Sequence, residues 1–360
     1  MKHIKIWVLL GAILVVLGIV IFTVTACSQH SESGTHFGYN AEERITNITN
    51  DFEAIDIQSD TADIDFILTN DGSCRIIAVD HRKISYSSEV RDGALKILCI
   101  DGRAWYEKMF SFSRASLTVY LPKSEYSSLT VSEHTGKITV PSYFKFGNAD
   151  LKLSTGDVHF YAATAESITV NGSTGNVVIE GANCGSASIT VSTGNVTVSG
   201  GEFTGDIAVK VSTGDCIISN LSCKNLTSQG TTGSIRAENV TVSENTNIER
   251  STGKTELCNL VCRDITSVAD TGDLYMSSVI ASGSLSIERS TGDVEFDGCD
   301  AGEIHVKTDT GSVEGTLLTD KIFIAKSSTG DIEVPETTSG GVCKIETSTG
   351  DIEISIGDKR

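Results

Sequence analysis

From residue 134 onwards the dipeptide Thr-Gly recurs at a spacing that admits few folds. The glycines that hold the register are Gly136, Gly156, Gly175, Gly194, Gly214, Gly233, Gly253, Gly272, Gly292, Gly311, Gly330 and Gly350, in steps of 19 or 20 residues. The flanks vary around this centre: "STGD" at Ser154–Asp157, "STGN" at Ser173–Asn176, "STGK" at Ser251–Lys254. A fixed short period marks a chain of stacked units, none of which can bury its apolar face alone. Apolar and polar residues alternate after each turn, as in "DVHF" (Val158, Phe160) and "DIEI" (Ile352, Ile354), and before it, as in "ITVSTG" (Ile189, Val191). Period-two alternation on both sides of a turn specifies short strands with one buried face. A leucine-rich repeat has a similar period but needs a Leu/Asn pattern, which this chain lacks. The expectation is therefore all-β: a single-stranded parallel β-helix, or β-solenoid, of 19–20-residue coils, right-handed, with one N-terminal transmembrane or signal helix. Stacked at the strand spacing of about 4.8 Å, the coils would build a rod roughly 50 Å long.

Register positions then acquire roles. The turn glycines are expected because the corner demands positive φ. The Ser and Thr hydroxyls are expected to stack and bond along the rod, while the fourth letter is free to vary, through Asp, Asn, Ser and Lys, because it points to solvent. Two and four residues after the Gly should point inward, with Thr255 and Gly315 as departures, and one and three residues after it outward. Cys184, Cys223 and Cys262 fall nine residues after the Gly at intervals of 39. That puts them two coils apart, beyond the roughly 7 Å a disulfide allows, so they read as small buried apolar side chains. Cys258 and Cys262 form a CxxxC without a second pair to complete a metal site. Cys74 and Cys99 stand outside the repeat, where a bridge is left open.

Residues Ile6–Val24 run 19 positions without a charge after Lys2 and Lys5, close to the roughly 20 needed to cross a bilayer. The lysines place the N-terminus in the cytoplasm and the body outside. The ending "VTAC" at Val24–Cys27 also fits a lipoprotein cleavage box, with Cys27 lipidated, so 1–26 reads as a signal anchor or a lipoprotein signal. Residues 27–50 read as a polar stalk, 51–125 as irregular β coils capping the membrane-near end, and 126–360 as the repeat body. "RAWYEKMFSF" at Arg103–Phe112 reads as a loop. A net charge of −19 excludes nucleic acid, whose phosphates need Lys and Arg.

The anchor, the "VYLP" strand (Val119–Pro122) and the "L-x-V-x-x-x-T-G-x-I-x-V" pattern (Leu129–Val140) together resemble a bacterial cell-envelope family of unknown function described as putative adhesins with a β-strand repeat. The resemblance covers about residues 50–360 and implies fold and surface location more specifically than activity.

The residues offer little chemistry. A polysaccharide lyase or hydrolase would need converging carboxylates in a groove, whereas the histidines are scattered, with His159 and His305 far apart. "STGK" lacks the upstream glycines of a phosphate loop. Acidic residues do align near the C-terminus: Asp273, Asp293, Asp331 and Asp351 one place after the Gly, Glu295, Glu314, Glu333 and Glu353 three places after it. Of these, Asp293, Glu295, Glu314, Asp331, Glu333, Asp351 and Glu353 are the candidates for a weak divalent-cation or basic-partner site; a solvated face that maintains solubility is the alternative. No cofactor is expected. Four places before the Gly, Glu288, Lys307, Lys326 and Glu346 oppose charges on two of three steps. The final strand "DIEISIG" reads as an open edge that invites end-to-end pairing. The expected function is a non-enzymatic, membrane-anchored adhesin or envelope-sensing scaffold that meets envelope proteins or glycans. A carbohydrate-active enzyme on the same fold is the alternative.

Overall fold

The computed structural model describes residues 41–81, 83–103 and 115–357. The signal or anchor helix expected in 1–26, Cys27 and most of the 103–112 loop lie outside the described residues. No helix among the described residues is long and apolar enough to cross a membrane.

Among the described residues thirty strands, numbered β1 to β30 along the chain, belong to one continuous sheet that winds as a parallel β-solenoid of about 11 turns. Within the stack a strand pairs in parallel with its counterparts one coil away: β13 (Val177–Glu180), for instance, lies between β11 (Val158–Phe160) and β15 (Val196–Ser199). The inward positions are those the alternation specifies. Val158, Phe160, Val196, Val198, Val294 and Phe296 are all at most 2% exposed. Ile332 occupies the same register yet is 45% exposed, because its coil ends the stack.

Two corners carry positive φ. At the Thr-Gly corner φ runs from +123° at Gly233 to +151° at Gly311, and a Cβ on Gly156 would lie 1.7 Å from the carbonyl oxygen of Gly136. Gly136 itself is not in this conformation, but a Cβ there would meet Ala62 O at 2.1 Å. A second corner, not read from the sequence, has Asn220, Asn239 and Asn259 at φ of 53–55°. Asparagine tolerates left-handed backbone better than most residues, and here the amides also bond along the stack, Asn239 Nδ2 to Asn220 Oδ1 (2.9 Å) and Asn259 Nδ2 to Asn239 Oδ1 (2.8 Å).

The stacking order departs from chain order at both ends. Near the N-terminus β2 (Ala54–Ser59) and β3 (Ala62–Leu68) lie between β6 (Ala94–Asp101) with β7 (Ala115–Leu121) on one side and β8 (Glu125–Thr135) with β9 (Ile138–Val140) on the other. The outer coil is covered by antiparallel strands: β5 (Ile84–Arg91) on β6, and β4 (Cys74–His81) on β7. β1 (Ala41–Ile48), from the segment expected to be a stalk, pairs antiparallel with β4.

At the C-terminus β29 (Gly341–Thr349) pairs with both β25 (Val294–Thr310) and β27 (Lys321–Thr329), and β30 (Ile352–Ile356) with both β26 (Val313–Leu317) and β28 (Ile332–Glu333). The last coil in sequence is therefore the penultimate coil in space. "DIEISIG" is an interior strand rather than the open edge expected; the edge is β27–β28.

Candidate interaction surface

The Thr-Gly corner is a structural joint, and its fourth residue is part of that joint. In most coils this side chain accepts the backbone N–H of its counterpart in the next coil. Asn176 N donates to Asp157 Oδ1 (2.8 Å), Asn195 N to Asn176 Oδ1 (3.0 Å), Asp215 N to Asn195 Oδ1 (2.9 Å) and Ser234 N to Asp215 Oδ1 (2.8 Å). The series resumes with Asp293 N to Asp273 Oδ1 (3.0 Å), Ser312 N to Asp293 Oδ1 (2.8 Å), Asp351 N to Ser312 Oγ (3.2 Å) and Asp331 N to Asp351 Oδ1 (2.8 Å). The fourth letter points to solvent as expected, yet it also takes part in the joint: Asp, Asn and Ser recur there because a short acceptor can reach a neighbouring amide. Asp63 serves Lys137 N in the same way (2.9 Å), and Ile64 pairs with Ile138. "DTAD" at Asp60–Asp63 therefore holds the register with Ala62 in place of Gly, a substitution that hides it from a Thr-Gly search.

The exchanged coil order changes the charge columns. Glu295 pairs with Glu314, Glu314 with Glu353, and Glu353 with Glu333, so four exposed carboxylates stack without a break. The Asp column runs Asp273, Asp293, Ser312, Asp351, Asp331 beside it. Among the described residues no group of three or more His, Cys, Asp or Glu side chains is placed to hold a metal ion. Four places before the Gly the order becomes Glu288, Lys307, Glu346, Lys326. Every step now opposes unlike charges, where chain order would put Lys307 on Lys326.

Among the buried polar groups that escaped the sequence reading are Glu133, Arg250 and Arg289. Glu133, 2% exposed, accepts Ala62 N (3.2 Å) and Thr135 N (3.1 Å) through Oε1, and burial pushes its carboxyl up to about 7. It borders a groove of about 430 Å³ shared with Ser59, Asp60, His134, Lys152 and Asn171. Arg250 and Arg289, 4% and 3% exposed, point into the core. Each reaches a buried serine, Arg250 Nη2 to Ser228 Oγ (3.0 Å) and Arg289 Nη2 to Ser267 Oγ (2.8 Å). Gly230 and Ala269, their small ladder neighbours, make the space. Polar side chains at inward positions break the alternation, and that was the available signal. His159 sits with Tyr161 (3.2 Å) and His305 near Glu303 (3.7 Å), so the histidines do not converge. No disulfide joins any two of the nine described cysteines, so Cys74 and Cys99 do not bridge to each other.

The model of the Toastrack DUF4097 family matches residues 52–257, 189–278 and 244–360. The chain belongs to the Toastrack DUF4097 family. Solved structures similar to this Toastrack chain include a putative adhesin from Bacteroides fragilis (12% identity, covering 88% of this chain and 99% of that one, TM-score 0.25). A putative adhesin from Parabacteroides distasonis is also similar (14% identity, 86% and 98%, TM-score 0.28). So is a putative lipid binding protein from the same organism (14% identity, 89% and 98%, TM-score 0.27). No curated protein matches the Toastrack chain.

Proposed function

We propose that this chain is a non-enzymatic interaction rod of the cell envelope, an adhesin or sensing scaffold held at the membrane by residues 1–26 or by a lipid on Cys27. The reading takes the coils as 19–20 residues with right-handed winding and the rod as extracytoplasmic. The observation that carries it is the set of outward columns, in which like or complementary side chains repeat from coil to coil. Such a lattice suits an extended protein or glycan partner better than a small substrate, which a closed pocket would hold. Protease treatment of intact cells should digest the body while leaving a cytoplasmic marker whole, and mass spectrometry of the native N-terminus should show either an uncleaved Met1 end or a lipid on Cys27. Protection of the body from protease would overturn the reading.

Glu133 supports a second reading, a carbohydrate-active enzyme. A carboxyl that burial pushes up to about 7, beside a groove that a second carboxylate, Asp60, also lines, supplies the raised acid that a glycosidase uses. Reducing-sugar release with envelope polysaccharides separates the two readings. Glycan binding without product is the expected result, and product that disappears with Glu133→Gln would establish the enzyme.

A further inference from the structure

The two ends of the solenoid are finished differently. At the N-terminal end, antiparallel β4 and β5 pair with the outer coil and β1 pairs with β4, so the last strands there, β1 and β5, run antiparallel to the coils they extend. At the other end, β27 pairs only with β29 and β28 only with β30 among the described residues, leaving outer backbone edges without a ladder. The core is open there too. Phe323, Ala325 and Val334 are packed on the core but only partly buried, and Ile332, inward in register with the fully buried Ile352, is 45% exposed. An unpaired strand edge over an uncovered apolar end is a surface that another chain can complete.

We infer that this end docks onto the same end of a second copy of the chain, through a two-fold axis at the Gly330 corner. The charge pattern selects that occupant. One outward column alternates Glu288, Lys307, Glu346, Lys326 and stops on a lysine; the next runs Glu295, Glu314, Glu353, Glu333 and stops on a glutamate. The first needs an acid as its next member and the second needs a base. A two-fold axis between Thr329 and Gly330 lays the strand before the corner antiparallel on the partner's strand after it, and supplies both. Lys326 then faces Glu333 of the second copy, and Glu333 faces its Lys326. The same register sets inward residues against inward ones, Ala325 against Val334 and Ser327 against Ile332, and outward Ser328 against outward Asp331. A one-residue slip would set Lys326 against inward Ile332 or Val334 and lose this match. Because the contact is isologous, it uses up the same end of both copies and closes as a dimer instead of growing into a fibre.

Ala41, where β1 begins, belongs to the end remote from this contact. Two rods joined tip to tip carry their N-terminal ends at opposite extremes, so chains anchored upstream of Ala41 would join two apposed membranes. That consequence rests on the anchor reading above; the pairing does not.

Sedimentation velocity of the full chain in detergent tests the pairing alone. The parent should form a dimer, Lys326→Glu and Glu333→Lys should each weaken it by about tenfold or more, and an equimolar mixture of the two variants should dimerise again, since each heterodimer contact then joins unlike charges. A monomeric parent, single variants that dimerise like the parent, or a mixture that stays monomeric would overturn the inference. Vesicles carrying the full chain extend the test. Dimers in detergent without vesicle clustering would refute the anchor reading while leaving the pairing intact.

Discussion

At the scale of single residues, the instructive positions are those that violate the inward apolar rule. Burial raises the Glu133 carboxyl from 4.5 to about 7, so the folded state holds this proton more tightly than the unfolded chain. The stability it contributes is fully present below pH 4.5 and is lost as pH rises through about 7, a change of about 3 kcal/mol. Glu133→Gln keeps an acceptor for Ala62 N and removes the charge. Denaturant unfolding across pH 4–8 should therefore show a flatter profile for this variant and greater stability than the parent at pH 8. The buried arginines obey the same physics in reverse. Burial holds Arg289 down to about 10, and its Nε and Nη1 find no acceptor among the described residues. Ser267→Ala removes the hydroxyl it reaches and should cost about 2 kcal/mol. The double variant Ser267→Ala/Arg289→Met removes both polar partners and should recover that loss or exceed the parent. Equilibrium urea unfolding measures both.

At the scale of elements, the question is why the coils leave chain order. "SSTGDIEV" and "TSTGDIEI" are nearly interchangeable, so their turns and cores do not decide which lies outermost. Charge does, together with one strut. The exchanged order removes the Lys307–Lys326 contact, and Lys321 Nζ reaches Asp300 Oδ1 (2.6 Å) and Thr319 Oγ1 (2.7 Å) past the interposed coil. Gly341, ladder partner of Lys321, leaves room; a Cβ there would come within 1.7 Å of Gly302 O. The order has a direct test. Ile304 is the ladder partner of Cys343, so Ile304→Cys should form a disulfide with Cys343 under mild oxidation, its Cα about 5 Å away. Chain order would leave the two coils twice as far apart and the thiols free, as mass mapping under non-reducing conditions would show.

At the scale of the whole molecule, the chain carries net charge −19 on a body whose acids gather in columns near one end. Self-repulsion destabilises such a body at low ionic strength and salt screens it. Thermal unfolding of the full chain in detergent should move upward by several degrees from about 10 mM to about 150 mM sodium chloride. With no cluster of three metal-ligating side chains among the described residues, a chelator should leave the transition within about 1 °C. A chelator-induced fall of tens of degrees would mean that the acidic columns bind a structural cation.

The sequence by itself determined what is local and periodic. The strands, their buried faces, the Gly corner and the family likeness were all legible, because a β-solenoid repeats one coil and each coil writes its own alternation and turn. The Asp/Asn ladder was visible as the column of fourth letters but not as hydrogen bonds, because whether a side chain meets solvent or a neighbour's amide depends on the coil above it. Only the tertiary structure decided the order of the end coils, and with it the alternating Glu–Lys column, the interior place of "DIEISIG" and the open edge at β27–β28. Interchangeable coils are the physical reason. Local pattern fixes how a coil is made, while its neighbours in space are chosen by contacts such as Lys321 with Asp300, between residues that no periodicity relates.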